Sequence, residues 1–127
     1  VFGTRGSRPS RSRRRRRAGA LGEEAARRYL ERRGYRIVEA NYRCRQGEID
    51  IVARDGEVLV FVEVRAKSSS LFGLPEESLT AGKRRRLLAA VRTYLQFHPC
   101  EDWRVDLVAV ELEGDEVRRI DHIPHAL

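Results

Sequence analysis

The chain has 127 residues, 41% apolar and 35% charged, which fits one globular domain with its own core and is too short for two. It contains no apolar run of about 18 residues and no charged–apolar–small N-terminal pattern, so the sequence predicts neither a membrane-spanning helix nor a secretory leader. The net charge of +7 arises in residues 1–20, which carry eight arginines and no acid, whereas residues 21–127 carry 18 basic and 19 acidic residues.

Residues 1–18 form a low-complexity tail rich in Arg, Ser and Gly. We expect this tail to be disordered and residues 19–127 to form a single domain. A basic block of this kind attracts polyanions and could bind the phosphates of a nucleic acid. It could equally be an extension without function or a targeting-like leader. The tail alone therefore does not identify a nucleic-acid partner.

The apolar spacing predicts a first helix from Ala18 to Arg33, ended by Gly34. Three strands follow, at 35–43, 47–54 and 57–66, and then a long loop at 67–77. A second helix, capped by Thr80 or Ser78, runs to Phe97.

Two further strands, at 103–112 and 116–123, complete the chain and meet at Gly114-Asp115. The predicted order is α-β-β-β-α-β-β, an α/β domain with a mixed sheet flanked by helices.

The two cysteines, Cys44 and Cys100, lack any spacing typical of a zinc site. We expect free thiols rather than a disulfide, and hence a cytoplasmic protein.

The second and third strands form a hairpin that carries three carboxylates on one face. If Asp55 and Gly56 are its two-residue loop, Glu48 lies directly opposite Glu63, and Asp50 lies diagonal to Glu63. Directly opposed like charges destabilise a sheet, and burying ionised carboxylates is costly unless something compensates. The hairpin therefore raises the question of what neutralises these side chains.

A divalent cation held by Glu48, Asp50 and Glu63 would supply that compensation, because oxygen-only ligation suits Mg²⁺ or Mn²⁺ rather than zinc. Arg65 and Lys67 lie on the same face and could neutralise the acids without a metal. Solvation on an open sheet face is a third possibility. The hairpin alone leaves all three open.

Three segments together carry a family resemblance: "GEEAARRYLERRGYRIVEANYRCRQGEIDIVARDGEVLVFVEVRAK", "FGLPEESLTAGKRRRL" and "WRVDLVAV". From about Gly22 to Val110 the chain resembles the YraN-type family of endonucleases. That family is similar to archaeal Holliday junction resolvases of the PD-(D/E)xK nuclease superfamily. The resemblance implies a restriction-endonuclease-like fold and a Mg²⁺- or Mn²⁺-dependent phosphodiesterase site.

By this resemblance Asp50 matches the metal-binding aspartate, and Glu63 matches the acid of the E-x-K element. Glu23 matches the superfamily's helical glutamate, with neighbouring Glu24 as the alternative. Arg65 departs from the pattern, since it stands where the family's relatives carry a catalytic lysine. Arginine cannot act as a base, but Arg65, or Lys67 on the same face, could stabilise the negative charge that grows in the transition state.

The second helix carries a basic cluster, Lys83, Arg84, Arg85 and Arg86, in its early turns. Such side chains can bind phosphates, which position a nucleic acid without specifying its sequence. They are also compatible with the solvated face of an amphipathic helix.

We therefore expect a metal-dependent endonuclease acting on nucleic acid, DNA rather than RNA and structured or branched DNA in particular. The alternative is a nucleic-acid-binding module of the same fold with little or no catalysis. A third reading is an assembly protein whose arginine tail docks on a polyanion. Resolvase-like enzymes act as dimers, so the resemblance also implies a homodimer.

Overall fold

The computed structural model of the chain describes residues 10–69 and 79–127. Its helices and strands, in chain order, are α1 (Arg11–Arg32), β1 (Arg36–Cys44), β2 (Gly47–Asp55), β3 (Val58–Ser68), α2 (Ala81–Phe97), β4 (Trp103–Glu113) and β5 (Glu116–Ile123). The predicted order α-β-β-β-α-β-β is confirmed. Neither helix has the length and apolar composition needed to cross a bilayer.

The five strands form one sheet in the order β1-β2-β3-β4-β5. β3 and β4 are parallel and are joined through α2, whereas the other neighbouring strands are antiparallel. A mixed sheet with a helix on each face is the architecture expected of a restriction-endonuclease-like fold.

Each face of the sheet packs against one helix, because the central strands carry apolar side chains on both faces. The buried core on the α1 side comprises Ala26, Leu30, Ile51, Ala53, Val60, Val62, Val108, Val110 and Leu112. The buried core on the α2 side comprises Ile49, Val52, Leu59, Phe61, Leu87, Ala90, Val91, Tyr94 and Val105. The acidic face of the hairpin is therefore the α2 face, and it is covered rather than open.

The two helices differ in how well their starts were predicted. α1 begins at Arg11 instead of Ala18, with Ser10 as its N-cap, whose hydroxyl accepts a hydrogen bond from the Arg13 N–H at 3.2 Å. Residues 11–18, expected to be part of a disordered tail, thus continue the helix; residues 1–9 lie outside the described residues. α2 is capped by Thr80 as predicted, while Ser78 and most of the predicted loop lie outside the described residues.

The register of the β2–β3 hairpin corrects the prediction. Asp55 pairs with Val58 and Ile51 with Val62, so the two-residue loop is Gly56-Glu57. Gly56 has φ 62° and occupies the first loop position, the place of glycine in a type II′ turn. The predicted opposition of Glu48 and Glu63 is therefore wrong. Moving the pairing by two residues keeps every side chain on its face but brings Asp50 beside Glu63.

The alternation of β2 breaks at Asp50. Ile49 packs on the α2 side and Ile51 on the α1 side, although residues two apart in a regular strand share a face. On β1, Asn41 lies between the residues paired with Ile49 and Ile51, and it has φ 56°. Asp50 lies at this irregular point of the strand.

α1 approaches β3 closely at Gly22. A Cβ on Gly22 would lie 2.7 Å from the Cβ of Ala66, closer than two non-bonded carbon atoms approach each other. The glycine therefore lets α1 lie against the sheet beside Val64 and Ala66.

Gly22→Ala should lower the free energy of unfolding by about 1–3 kcal/mol, because the added methyl overpacks the contact with Ala66. Gly19 lies in the same helix with no atom near its Cβ position, so Gly19→Ala should be neutral or stabilise by roughly 0.5–1 kcal/mol. Urea unfolding of both variants measures the difference. Equal midpoints would contradict the close contact.

Candidate active site

Two carboxyl groups lie side by side at the centre of the α2 face. Asp50 on β2 and Glu63 on β3 are both half-buried, and their side chains hydrogen-bond to each other. The Val64 N–H donates to Asp50 Oδ2 at 2.8 Å and orients that carboxyl group. These are the two acids that the sequence predicted, brought together by adjacent antiparallel strands.

Burial perturbs both acids. It raises the pKa of Glu63 to about 8, with the charge of Asp50 as the next cause. Burial is also the largest cause that raises the pKa of Asp50. A hydrogen bond between two carboxyl groups needs a proton, so at neutral pH the pair shares one proton when no cation is bound. The arrangement disfavours two full negative charges unless positive charge enters the site.

Glu23, on α1, lies within electrostatic range of Asp50. Its side chain hydrogen-bonds to Asn41, whereas burial and then the charge of Asp50 raise its pKa. Glu24 instead forms ion pairs with Arg27 and Arg28 on the outer surface of α1. Of the two predicted alternatives, only Glu23 has Asp50 as an electrostatic neighbour.

Glu48 lies at the mouth of the site. Its side chain is 55% exposed and forms an ion pair with Arg43 at 3.4 Å across the β1–β2 hairpin. Its charge still raises the pKa of Asp50, so it is a neighbour of the pair but not a member of it.

Arg65 supplies positive charge on the same strand as Glu63. Its charge lowers the pKa of both Asp50 and Glu63. One guanidinium nitrogen, Nη1, is buried and has no hydrogen-bond partner among the described residues. Lys67 follows two residues later on β3 and is half-buried.

A cavity of about 600 Å³ opens beside the acidic pair. Basic side chains line it from two directions: Arg43 and Arg45 from the β1–β2 hairpin, and Lys83 and Arg86 from α2. Arg84 lines a second cavity of about 260 Å³ that also touches Glu63, and Arg85 is exposed on α2. The sequence predicted the α2 cluster but missed the two hairpin arginines.

The hairpin meets α2 at Gly47. A Cβ at this position would lie 2.5 Å from the main-chain oxygen of Arg86, so only glycine permits the contact. Arg43 and Arg45 directly precede the acidic strand, and this is the one feature of the sequence that could have indicated them. Their position opposite α2 depends on the long-range contact at Gly47.

The donor set can be tested against a divalent cation. No three His, Cys, Asp or Glu side chains within residues 10–69 and 79–127 form a ready ligand group. Mg²⁺, however, is commonly held by one or two carboxylates together with water and substrate phosphate oxygens. Asp50 and Glu63 fit that mode, because they are adjacent oxygen donors whose repulsion a cation would relieve.

A further carboxylate, Asp106 on β4, was also missed. It is fully buried and accepts hydrogen bonds from Arg104 Nε at 3.0 Å, from the His125 N–H at 3.1 Å, and from His122 Nε2, which lies 2.8 Å away. Its partners therefore join β4 to β5 and the C-terminal segment. Asp106 also lines the cavity of about 260 Å³, together with Glu63 and Arg84.

The fold and this site define an α/β protein in which a buried acidic pair lies beneath a basic rim. Residues 22–110 match the model of the family described as "Uncharacterised protein family UPF0102". The chain belongs to this family. The matched residues include both acids, Glu23 and the basic cluster of α2, but not the arginines at the start of α1.

Curated relatives support the same membership. The chain is 47% identical over 104 residues to a UPF0102 protein of Syntrophus aciditrophicus (strain SB), covering 80% of this chain and 82% of the relative. It is 44% identical over 112 residues to one of Geobacter metallireducens, covering 85% and 89%. It is 49% identical over 104 residues to one of Dechloromonas aromatica (strain RCB), covering 82% and 85%.

The raised pKa of Glu63 predicts a pH-dependent stability in EDTA. Because the folded state holds the proton more tightly than the unfolded chain, Glu63's contribution is fully present below about pH 4.3 and is lost as the pH rises through about 8. Glu63→Gln removes this titration, so its stability should fall less than that of the wild type between pH 5 and 9, by up to about 1.4 kcal/mol per unit.

Urea unfolding across this range measures the effect. Glu57→Gln, in the exposed loop of the same hairpin, controls for the loss of one charge and should follow the wild-type curve. Parallel curves for Glu63→Gln and the wild type would contradict the buried pair.

Proposed function

We propose that this protein is a metal-dependent endonuclease that hydrolyses phosphodiester bonds in nucleic acid, with structured or branched DNA as its preferred substrate. The observation that carries the proposal is the acidic pair Asp50–Glu63, half-buried at the base of a cavity rimmed by basic side chains. Acids buried together suit a cation, and a basic rim suits phosphates. Only a substrate that brings phosphate to a cation uses both features.

Asp50 and Glu63 would hold a Mg²⁺ or Mn²⁺ ion, with Glu23 contributing from α1. A bound divalent cation would polarise the scissile phosphate and promote ionisation of the attacking water. The Val64 N–H keeps Asp50 oriented for this task. Glu48 is exposed and paired with Arg43, so its contribution as a ligand would require that ion pair to open.

Arg65 would contact the phosphate. Arginine stays protonated and cannot act as a general base, but its guanidinium group forms strong hydrogen bonds to phosphate oxygens. The buried Nη1 without a partner is a donor that such an oxygen would satisfy. Donors of this kind stabilise the charge that develops in the transition state. Lys67, further along β3, would assist from the same strand.

The basic rim would position the substrate backbone. Lys83 and Arg86 face Arg43 and Arg45 across the cavity, so phosphates on either side of the scissile bond have partners. Arg84 and Arg85 extend the positive surface along α2. Free thiols at Cys44 and Cys100 fit the reducing cytoplasm, where DNA would be met.

A second candidate function is nucleic-acid binding without hydrolysis. Two observations favour it: an arginine stands in the place of the usual lysine, and no three-ligand group exists among the described residues. In that case the rim would bind phosphates, and the acidic pair would remain protonated.

Cleavage assays separate the two functions. The wild type should cut four-way junctions, flaps or linear duplexes when Mg²⁺ or Mn²⁺ is added, and Asp50→Asn and Glu63→Gln should reduce cleavage to the level without protein. Glu57→Gln, exposed on the same hairpin, should retain wild-type activity. Circular dichroism checks that each variant is folded. Binding without products in either metal would overturn the endonuclease proposal and favour the second function.

Replacing Arg65 tests its role directly. Arg65→Met removes every donor while keeping much of the apolar stem, and should lower kcat by about 10²–10³-fold, the usual effect of losing one preorganised donor. Arg65→Lys retains the charge and should recover most of the activity. Single-turnover rates at saturating Mg²⁺ measure both. Equal rates for Arg65→Met and the wild type would exclude contact with the reacting phosphate.

A further inference from the structure

The first two turns of α1 are rich in arginine, and we call them the arginine arm (residues 11–17, RSRRRRR). Five consecutive arginines, residues 13–17, project around the whole helix and all are exposed. The first turn contains no acidic residue. Positive charge at a helix N-terminus opposes the helix dipole, and like charges three or four residues apart repel. The arginines of the arm therefore repel one another and the helix dipole, and a bound polyanion would offset this repulsion.

The fold holds this arm in a defined place. Arg17 forms an ion pair with Asp115 in the β4–β5 turn, with its Nε 3.0 Å from Asp115 Oδ1. Immediately after it, Ala18 and Leu21 pack against the α1-side core. The arm is thus a continuous extension of the helix that carries Glu23 to the acidic pair.

Part of its charge is uncompensated. None of the described carboxylates pairs with Arg13, Arg15 or Arg16, whereas Arg17 has Asp115. A rise of 1.5 Å per residue puts Arg16 and Arg13 about 10 and 15 Å from Glu23 along the helix axis. That span corresponds to roughly three to four base-pair steps of B-DNA at 3.4 Å each.

We infer that the arginine arm binds the phosphate backbone of a nucleic acid and anchors it beyond the cavity. The inference rests on the proposed function only in taking the bound strand to be the one that enters the cavity. The substrate is then an extended polynucleotide, since a mononucleotide could not reach both surfaces. The arm has no apolar residue between 11 and 17, so it lacks the apolar face with which a helix lies on a membrane.

The arm lies outside the part of the chain that matches the family model. The family match begins at residue 22, after the arm ends. Removing the arm should therefore leave the cavity chemistry of the matched region intact.

Binding in EDTA tests the inference without cleavage. The triple variant Arg13→Gln, Arg15→Gln and Arg16→Gln removes the uncompensated charges, and glutamine keeps the helix because its helix propensity is close to that of arginine. The control removes three exposed arginines elsewhere: Arg32→Gln, Arg36→Gln and Arg92→Gln. Both variants have the same net charge and should have wild-type circular dichroism.

Anisotropy with a 20-bp DNA duplex, a 20-bp RNA duplex and a single strand is measured over a salt series. The arm variant should reduce the slope of log K against log salt on duplex DNA by about 2–3 units, since each lost phosphate contact removes about 0.9, and the control should not. Equal slopes for the two variants would overturn the inference. So would arm-dependent binding to anionic vesicles or polyglutamate as tight as binding to nucleic acid.

The binding experiment and the cleavage assay test the two proposals separately. If the protein binds nucleic acid through the arm but never cleaves it, the inference about the arm is supported and only the endonuclease proposal is overturned. If the protein does cleave, the arm variant should raise KM with unchanged kcat, because it loses binding remote from the reacting bond. If the arm variant and the control variant cleave with the same KM, the inference about the arm is overturned, whereas the endonuclease proposal stands.

Discussion

The structure depends on one unfavourable contact, the burial of two carboxyl groups side by side on adjacent strands. Burial and mutual repulsion raise the pKa of both Asp50 and Glu63, so the site favours a proton or a cation between them. The neighbouring groups offset part of this cost: the Val64 N–H bonds Asp50, and the charges of Arg65 and Lys83 favour ionised carboxylates. Burying two neighbouring acids lowers the stability of the fold, so stability alone does not account for the pair. A ligand that carries positive charge would offset this cost.

The two helix layers converge on this pair because β2 does not follow a regular alternation. Asp50 lies at this break, beside Asn41 with its positive φ, and has Glu23 of α1 as an electrostatic neighbour. Glu23 therefore approaches from one layer, while Lys83 acts on Glu63 from the other. Close contacts at two glycines, where any Cβ would clash, hold the layers near enough for this to happen.

Charge is segregated rather than spread through the molecule. Residues 21–127 are almost neutral overall, yet acids occupy the base of the cavity and basic side chains occupy its rim. The excess positive charge lies in the N-terminal residues, and the described part of these forms a helix fixed to the β4–β5 turn through Arg17 and Asp115. A positive surface that leads to an acidic centre suits a polyanion that must meet a cation. The family match covers the centre but not the N-terminal helix turns.

The sequence by itself determined the element order and the strand limits to within two residues, and it gave Thr80 as one of two candidate caps, because periodicity and capping are local properties. It also identified Asp50 and Glu63, through the family resemblance. Tertiary structure alone decided that Asp50 rather than Glu48 lies beside Glu63, since a turn displaced by one residue shifts the strand pairing by two. Tertiary structure also decided that the hairpin arginines line the cavity and which groups bind Asp106. These contacts join segments that are far apart in the chain, and no local pattern encodes them.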